Sequence, residues 1–277
     1  MVRIEEVAKG VMSRYRKHEL QAILHNSDNA NQVIVSDFDG TIHKGLWERK
    51  LGGISNADLA ILTTFYLPLA QVPGYVARNM KFFLYEKKKR PSNIEDISQF
   101  QEMLILRYYN EVIKGTPKKP IEKAASLLPE LSYPTSKRCL IELRKHSSKA
   151  VIISKTIDII LEPYCRWFQK RGAGVSHRGN TLIFDNKKLK GVIGEVTRIE
   201  DKKRVSAEEI HGFERAIILG DTYQDVGMFE AAEDLGIDCL KVAIQPKQEE
   251  LVKRSDVVVY SWGDFYELAK NLNKGCI

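Results

Sequence analysis

Two carboxylates, Asp37 and Asp39, follow directly after a short apolar run at residues 33–35. The run is β-branched and predicts a buried strand. A spacing of two residues places both acids on one side of an extended chain, and Gly40 lets the backbone turn sharply beside them. Two like charges on one face repel each other unless a cation or a proton relieves the repulsion. The pattern therefore indicates a charged ligand site, or a loop whose acids cap the following turn.

A second acidic pair follows another apolar run. Residues 216–219 predict a buried strand that leads into Gly220 and Asp221, and Asp225 lies four residues further on, where a helix begins. Ligands bind at the carboxyl ends of strands in parallel α/β sheets, so these acids are expected to meet Asp37. Carboxylate oxygens suit Mg²⁺ better than zinc or copper. Asp225 by itself is typical of a helix-capping acid, but the strand, the glycine and the acid pair together favour a metal site.

A hydroxyl group stands at the end of a third apolar run. Residues 151–153 predict a strand that delivers Ser154 to the same edge of the sheet. A helix is expected to begin around Thr156, so the Ser154 hydroxyl and neighbouring backbone N–H groups can hold a phosphate oxygen. An ordinary helix N-cap explains Ser154 in isolation equally well.

One of two adjacent lysines, Lys202 and Lys203, can supply a fixed positive charge to this site. Both lie at the start of a predicted helix, and lysines in such a run are usually solvated. Because neighbouring positions differ by about 100° around a helix, only one can point at the sheet edge. The apolar stripe of Val205 and Ile210 lies nearer to Lys202, so we predict that Lys202 is the contacting residue.

Strand-like and helix-like segments alternate over most of the chain. The predicted strands are 33–35, 150–153, 216–219, 242–244 and 257–259. The predicted helices cover about 137–147, 156–170, 202–210, 223–235, 247–254 and 263–272. This alternation predicts an α/β fold with a Rossmann-like, mostly parallel sheet flanked by helices.

Three segments depart from the alternation. Residues 3–24 have apolar positions at helical spacing and predict a leading amphipathic helix. Residues 44–132 contain helical stretches and no convincing strand, which predicts an inserted helical cap domain; residues 1–43 and 133–277 would then form the catalytic core domain. Residues 175–198 alternate around a polar turn and predict an antiparallel hairpin.

Composition is that of an ordinary globular protein, with 43% hydrophobic and 29% charged residues. The net charge of +7 permits contact with phosphorylated or polyanionic partners. The basic residues are spread along the chain without interleaved aromatic residues, so nucleic acid is not expected as a partner. The longest apolar segment, 59–72, is too short to span a bilayer, so no membrane association is expected. Widely spaced cysteines and the absence of a signal-peptide pattern favour the cytoplasm.

The four motifs resemble the phosphatase branch of the haloacid dehalogenase superfamily, and most closely its phosphoserine-phosphatase-like members. The matching residues are Asp37-Phe38-Asp39-Gly40-Thr41, Ser154, Lys202 or Lys203, and Gly220-Asp221-Thr222-Tyr223-Gln224-Asp225. The resemblance covers about residues 32–43 and 135–272. Lys155-Thr156 replaces the Gly-Gly common in that branch, and Gln224 replaces Asn. These departures leave the chemistry in place but do not support phosphoserine itself as the substrate.

The resemblance implies a Mg²⁺-dependent phosphomonoester hydrolase that acts on a small phosphorylated metabolite through an aspartyl-phosphate. Asp37 would be the nucleophile and Asp39 the general acid and base. Thr41, Ser154 and Lys202 would bind the phosphoryl group. The metal would be held by Asp37, Asp39 (through its backbone carbonyl), Asp221 and Asp225. The helical cap would close over the site, with Glu48 and Arg78 as weaker candidates for contacting the substrate.

Two other functions remain open at this level. A phosphotransferase would use the same aspartyl-phosphate but pass the phosphoryl group to an acceptor other than water. A non-catalytic polyanion-binding protein would explain the pI of about 9.1, with salt-sensitive binding and no hydrolysis. The sequence predicts neither the specific substrate nor the oligomeric state.

Overall fold

The computed structural model describes residues 4–24, 31–43, 55–89, 94–132, 134–246 and 248–270. Within these residues one sheet has nine strands in the order β1-β2-β9-β8-β7-β3-β4-β5-β6. The strands are β1 Glu5–Ala8, β2 Val11–Ser13, β3 Gln32–Ser36, β4 Lys149–Ile157, β5 Ser176–Asp185, β6 Lys188–Ile193, β7 Arg215–Gly220, β8 Asp238–Ile244 and β9 Val257–Val259. The six neighbouring strands from β9 to β5 run parallel, whereas β1, β2 and β6 pair antiparallel. The predicted fold class is confirmed.

Helices lie on both sides of this sheet. They are α1 Lys17–Leu24, α2 Ser55–Thr64, α3 Val72–Lys89, α4 Ile94–Arg107, α5 Lys118–Leu131, α6 Pro134–Arg144, α7 Asp158–Gln169, α8 Ile199–Ile210, α9 Val226–Asp234, α10 Glu249–Arg254 and α11 Trp262–Lys270. A π-helical turn, Tyr108–Val112, continues α4, and a 3₁₀ turn, Tyr223–Asp225, precedes α9. None of the helices in the described part of the chain is long and apolar enough to cross a membrane.

Residues of β3 alternate between two buried cores, one on each face of the sheet. Ile34 packs in the larger core, whereas Val33 and Val35 pack in the smaller one with Val205 of α8. Side chains of a strand point alternately to opposite faces, so a strand covered on both sides must be apolar throughout. This burial holds β3 rigidly at the centre of the sheet, which fixes the position of the residues that follow it.

The prediction of a helix over residues 3–24 is wrong for its first half. β1 and β2 form an antiparallel pair there, with Gly10 in the connecting turn at φ 67°, and only α1 is helical. The apolar spacing is the same in either structure, but β2 pairs with β9, Val11 opposite Val259. A strand that depends on a partner far along the chain leaves no trace in local periodicity.

The predicted hairpin is confirmed in β5 and β6. Asn186 and Lys187 connect the two strands with φ of 47° and 61°, as a two-residue turn of the mirror-image type requires. Leu189 of β6 accepts a hydrogen bond from Gly115 N–H and donates one to the Thr116 carbonyl, at 2.7 and 2.9 Å. The hairpin therefore supports the chain between α4 and α5. The described residues between β3 and β4 form α2 to α6 and no strand; their division into a separate cap domain stays a prediction.

Candidate active site

Asp37 lies at the carboxyl end of β3, in the middle of the sheet. Of its parallel neighbours, β7 ends on one side of it, whereas β4 continues past it on the other, so residues of three strands meet at this edge. The Asp37 N–H donates to the Leu219 carbonyl at 2.9 Å, which extends the ladder to β7 past the last residue of β3. Asp37 is 5% exposed. The backbone therefore holds this carboxylate in place, and burial makes its charge costly.

Lys202, and not Lys203, reaches Asp37. Its Nζ lies 2.6 Å from Asp37 Oδ1 and 2.5 Å from Asp225 Oδ1, and its side chain is 3% exposed. Lys203 points away from the site, where its Nζ pairs with Asp234 at 2.7 Å and its side chain is 37% exposed. The inward direction of Lys202 follows from the apolar face of α8, which packs against the sheet.

Asp221 and Asp225 come from the end of β7 and from the turn that follows it. Asp225 Oδ2 accepts hydrogen bonds from the Asp221 and Thr222 N–H groups, each at 2.9 Å, and its Oδ1 faces Lys202. A Cβ on Gly220 would lie 2.4 Å from the Asp225 Cβ, so only glycine allows this close approach. Asp225 thus ties the β7 turn to the lysine on α8.

Ligand oxygens of Asp37, Asp221 and Asp225 all lie within 4.8 Å of one another, and the three residues are buried. Buried hard oxygens at this spacing fit a divalent cation such as Mg²⁺. The side chain of Asp39 is not part of this cluster. Since both oxygens of Asp225 already accept hydrogen bonds, its carboxylate orients the site as well as adding charge to it.

The site carries more negative than positive charge. Burial raises the pKa of Asp37 well above its usual range; the charge of Lys202 opposes this, while Asp225 and Asp221 add to it. Burial lowers the pKa of Lys202, but the carboxylates of Asp225 and Asp37 outweigh it and raise the pKa overall, so the ammonium stays charged. Three clustered acids with one contacting lysine favour either a proton on Asp37 or an added cation.

Gly40 makes the loop after β3 possible. Its φ is 82°, a left-handed conformation, and an added Cβ would lie 2.0 Å from Asp221 Oδ2. The Gly40 N–H donates to the His43 carbonyl at 2.9 Å, which closes the loop on itself. Glycine is therefore required twice, for the backbone conformation and for the contact between the β3 loop and Asp221.

Asp39 faces helix α2 and the end of β4. Its Oδ1 accepts from the Ser55 N–H at 2.8 Å, and its Oδ2 accepts from the Ser55 hydroxyl at 3.0 Å and the Thr156 hydroxyl at 2.6 Å. The carboxylate thus binds the first residue of α2, where donors are left unpaired by the helix. In this conformation Asp39 connects the helical segment to the loop that carries Asp37.

Ser154 lies inside β4, not at the start of a helix. The strand continues to Ile157 and α7 begins at Asp158, so the predicted helix start around Thr156 is wrong by two residues. The extra strand residues pair with β5, Ile157 opposite Asn180, and the Thr156 hydroxyl also bonds to Asp39. Ser154 is 2% exposed, and its Oγ accepts from the Thr156 N–H at 3.1 Å, which leaves its hydroxyl proton free to donate.

Thr41 is fully buried beside the same loop. Its hydroxyl oxygen has no hydrogen-bond partner among the described residues. A buried hydroxyl is usually satisfied, so this atom is available to a ligand. Its contact with a phosphoryl group stays a prediction, as does that of Ser154.

Comparison with known proteins places these residues in context. No protein-family model and no curated protein matches the sequence. Among solved structures, cytosolic 5′-nucleotidase IIIB bound to cytidine is 16% identical, with a TM-score of 0.62 over 86% of this chain and 85% of its own. An apo phosphoserine phosphatase is 20% identical, with a TM-score of 0.54 over 87% and 98%. A haloacid dehalogenase-family hydrolase from Salmonella enterica serovar Typhi is 17% identical, with a TM-score of 0.53 over 87% and 71%.

The fold is that of the haloacid dehalogenase phosphatases. The resemblance noted in the motifs is thus confirmed at the level of the fold, over more of the chain than the motifs cover. At 16% to 20% identity a shared fold does not carry activity with it. The function must be argued from the residues of this site.

Two residues of the helical segment, Arg78 and Glu48, were the weaker candidates for contacting the substrate. Arg78 donates from Nε to the Val112 carbonyl at 2.8 Å and lines a cavity of about 270 Å³ with Lys114 and Thr116. It therefore supports the π-helical turn. Glu48 lies outside the described residues. A role for either in substrate binding stays a prediction.

A buried hydrogen-bonded chain next to the loop was not anticipated from the sequence. His43 Nε2 lies 2.9 Å from Asp58 Oδ2, and its Nδ1 lies 2.5 Å from the Tyr164 hydroxyl. Phe38, between the two motif acids, stacks on His43 with ring centroids 5.5 Å apart and meets Tyr164 edge-on at 4.7 Å. These contacts lock the β3 loop against α2 and α7. The members are spread from residue 38 to 164, so no local pattern reveals them.

Asn180 of β5 is a second positioning residue that sequence reasoning missed. Its Nδ2 donates to the Lys155 carbonyl at 2.6 Å and the Val196 carbonyl at 3.1 Å, and its Oδ1 accepts from the Glu195 and Val196 N–H groups at 2.8 and 2.9 Å. The side chain is fully buried with its hydrogen bonds made. It joins the end of β4 to the segment that leads into α8, and hence Ser154 to Lys202.

Proposed function

We propose that this protein is a Mg²⁺-dependent phosphomonoester hydrolase that acts through an aspartyl-phosphate on Asp37. The observation that carries the proposal is the contact of the Lys202 ammonium with the buried carboxylate of Asp37. Ligand oxygens of Asp37, Asp221 and Asp225 lie within 4.8 Å of one another beside this contact. A carboxylate beside a fixed cation and a metal-type cluster is what attack on a dianionic phosphate needs, because uncompensated like charges about 4 Å apart repel by roughly 4 kcal/mol. The fold of known phosphatases supports the same reading.

The chain's own residues would bind and orient the phosphoryl group. The Lys202 ammonium offers charge, and the buried hydroxyls of Ser154 and Thr41 offer hydrogen bonds to its oxygens. Thr41 follows the end of β3, Ser154 lies within β4 beside it, and Lys202 reaches the same edge of the sheet from α8. Because the sheet fixes them before the substrate arrives, little reorganisation is needed on binding.

The chemical step forms one bond and breaks another. An Asp37 oxygen attacks phosphorus in line, and the bond from phosphorus to the leaving oxygen breaks with its electron pair on that oxygen. Asp39 supplies the proton to the leaving oxygen and later takes one from the water that cleaves the acyl phosphate. For this, the Asp39 carboxylate must exchange its bonds to Ser55 and Thr156 for the reacting groups.

Asp37, Asp221 and Asp225 would hold Mg²⁺, with the backbone carbonyl of Asp39 as a further ligand that the resemblance suggests. When bound, the ion supplies the positive charge that the cluster lacks. A cation there would favour the ionised, nucleophilic form of Asp37, because it would oppose the burial and the acids Asp225 and Asp221 that together raise the pKa of this carboxyl.

The substrate is proposed to be a small phosphorylated metabolite that fits beneath the helical segment between β3 and β4. Nucleoside monophosphates and phosphoserine are the first compounds to test, because the structural neighbours are a nucleotidase bound to cytidine and a phosphoserine phosphatase. The Lys155-Thr156 pair after Ser154 makes phosphoserine the less favoured of the two.

The decisive experiment compares Asp37→Asn with Asp234→Asn, a matched change at an exposed acid on α9. Phosphate release is measured with Mg²⁺ and with EDTA. The wild type and Asp234→Asn should release phosphate only with Mg²⁺, and Asp37→Asn should not, because an amide cannot form the acyl phosphate. Release by Asp37→Asn at the wild-type rate contradicts the proposal. Product analysis separates hydrolysis from transfer: free phosphate marks the former, a new ester the latter.

A further inference from the structure

Lys155 lies directly after Ser154, on a part of β4 whose backbone is held on both sides. The Lys155 carbonyl accepts a hydrogen bond from Asn180 Nδ2 at 2.6 Å, and the Thr156 N–H donates to Ser154 Oγ at 3.1 Å. The lysine side chain therefore starts from a fixed point at the edge of the sheet where the acids gather.

The ammonium of Lys155 is buried, and it has no hydrogen-bond partner among the described residues. Burial and, second, the charge of Lys202 lower its pKa to about 8, against the opposing effect of Asp225, Asp37 and Glu102 of α4. Three of these four groups belong to the site described above. Surface lysines stay in water, so a lysine buried without a partner beside such a site indicates a missing anionic ligand.

Charge balance indicates where that ligand binds. Asp37, Asp221 and Asp225 carry three negative charges, which Lys202 and a divalent cation would offset. A phosphomonoester brings nearly two further negative charges that nothing else in the cluster compensates. A second lysine would balance the charge of the phosphoryl group itself. These residues would then leave no positive charge over for an anionic group elsewhere on the substrate.

We propose that Lys155 is a second phosphoryl-binding lysine, which contacts the transferring group of the substrate together with Lys202. This inference rests on the proposed function and extends it, because it assigns the lysine to the phosphoryl group common to all phosphomonoesters. Both lysines would then contact the phosphoryl group and neither would contact the leaving group, so the enzyme would accept esters whose leaving groups are uncharged.

The test measures the binding of inorganic phosphate to the wild type, Lys155→Met, Lys155→Arg and Lys203→Met by calorimetry in saturating Mg²⁺. One charge-assisted contact corresponds to about a 10- to 100-fold change in affinity. Lys155→Met should lose that much, Lys155→Arg should recover part of it, and the surface change Lys203→Met should match the wild type. The urea midpoint of Lys155→Met should not fall, since the change removes a buried charge that has no partner.

Turnover gives an independent check. Lys155→Met should lower kcat/KM by a similar factor for p-nitrophenyl phosphate, whose leaving group has no anionic group beyond the ester, and for 3-phosphoglycerate, which carries a carboxylate. A loss confined to the carboxylate substrate would overturn the inference and place Lys155 at the leaving group. Unchanged phosphate affinity in Lys155→Met would also overturn it. Phosphate binding needs no turnover, so this result is distinct from failure of the proposed function, in which the wild type releases no phosphate.

Discussion

Replacing Lys202 with methionine removes the ammonium that joins Asp37 to Asp225 while keeping most of the apolar volume of the stem. The side chains of Lys202, Asp37 and Asp225 are 3%, 7% and 0% exposed, so water cannot take the place of the lost charge. Removing one partner of a buried ion pair costs about 3–5 kcal/mol. We therefore expect Lys202→Met to lower the free energy of unfolding by about this amount in EDTA, and by less in Mg²⁺, which supplies charge to the same acids.

Catalysis should suffer independently of stability. If the ammonium contributes about 2–4 kcal/mol to stabilising charge on the transferring group, turnover falls by roughly 30- to 1000-fold. The rate must be measured under saturating Mg²⁺ at a temperature where urea titration shows the variant to be folded. Under these conditions, loss of rate reports on chemistry and not on the population of folded protein.

Lys203→Met is the matched control, because it changes the next residue of the same helix on its solvent side. It should leave turnover nearly unchanged, since the lysine pairs with Asp234 at the surface. A large loss of turnover in Lys203→Met with none in Lys202→Met would refute the assignment of the lysine. Full turnover in both variants would remove the lysine from the mechanism.

Two further changes follow from the same geometry. Gly40 and Gly212 both have φ above 80°, so replacing either with alanine should cost about 1–2 kcal/mol of backbone strain. Gly40→Ala should lose more stability than Gly212→Ala, because only the new Cβ at position 40 meets Asp221. Urea midpoints and calorimetric Mg²⁺ affinity check this, and equal losses with normal Mg²⁺ binding would contradict it. The pKa of Asp37 is raised in the folded state, so the protonated residue favours folding. In EDTA this contribution to the free energy of unfolding should be fully present below about pH 4, near the pKa of an unfolded aspartate, and should be lost as the pH rises through the raised pKa of the folded state. Asp37→Asn should lack this fall, and parallel stability profiles for variant and wild type from pH 4 to 8 would show the reasoning to be wrong.

Local sequence determines the elements that carry the acids. The β-branched run before Asp37 and the apolar run before Gly220 can be buried only as strands covered on both faces, and each acid follows at the strand end. The direction of Lys202 was also predictable, because the apolar stripe of α8 decides which side of the helix faces the sheet. Strand burial and helix periodicity are properties of neighbouring residues, so a single sequence displays them.

Pairing between distant segments decided what the sequence left open. The first residues of the chain have helical spacing, yet they form β1 and β2 because β9 offers an edge to pair with. β4 runs on past Ser154, where Ile157 pairs with Asn180 of β5 and Thr156 bonds to Asp39, 117 positions away in the chain. Each outcome depends on a partner that local periodicity does not contain.

The residues that hold the site in place also depend on partners far away in the sequence. Asn180 and the chain of His43, Asp58 and Tyr164 are buried polar groups, which are stable only when distant partners complete their hydrogen bonds. Whether a lysine next to Ser154 is solvated or enclosed also depends on distant residues, such as Asn180 of β5, which binds the Lys155 carbonyl. Sequence alone thus determined which groups gather at the sheet edge. Tertiary packing decided how they are held and which of them are buried, because desolvation and hydrogen-bond completion depend on the whole surroundings of an atom.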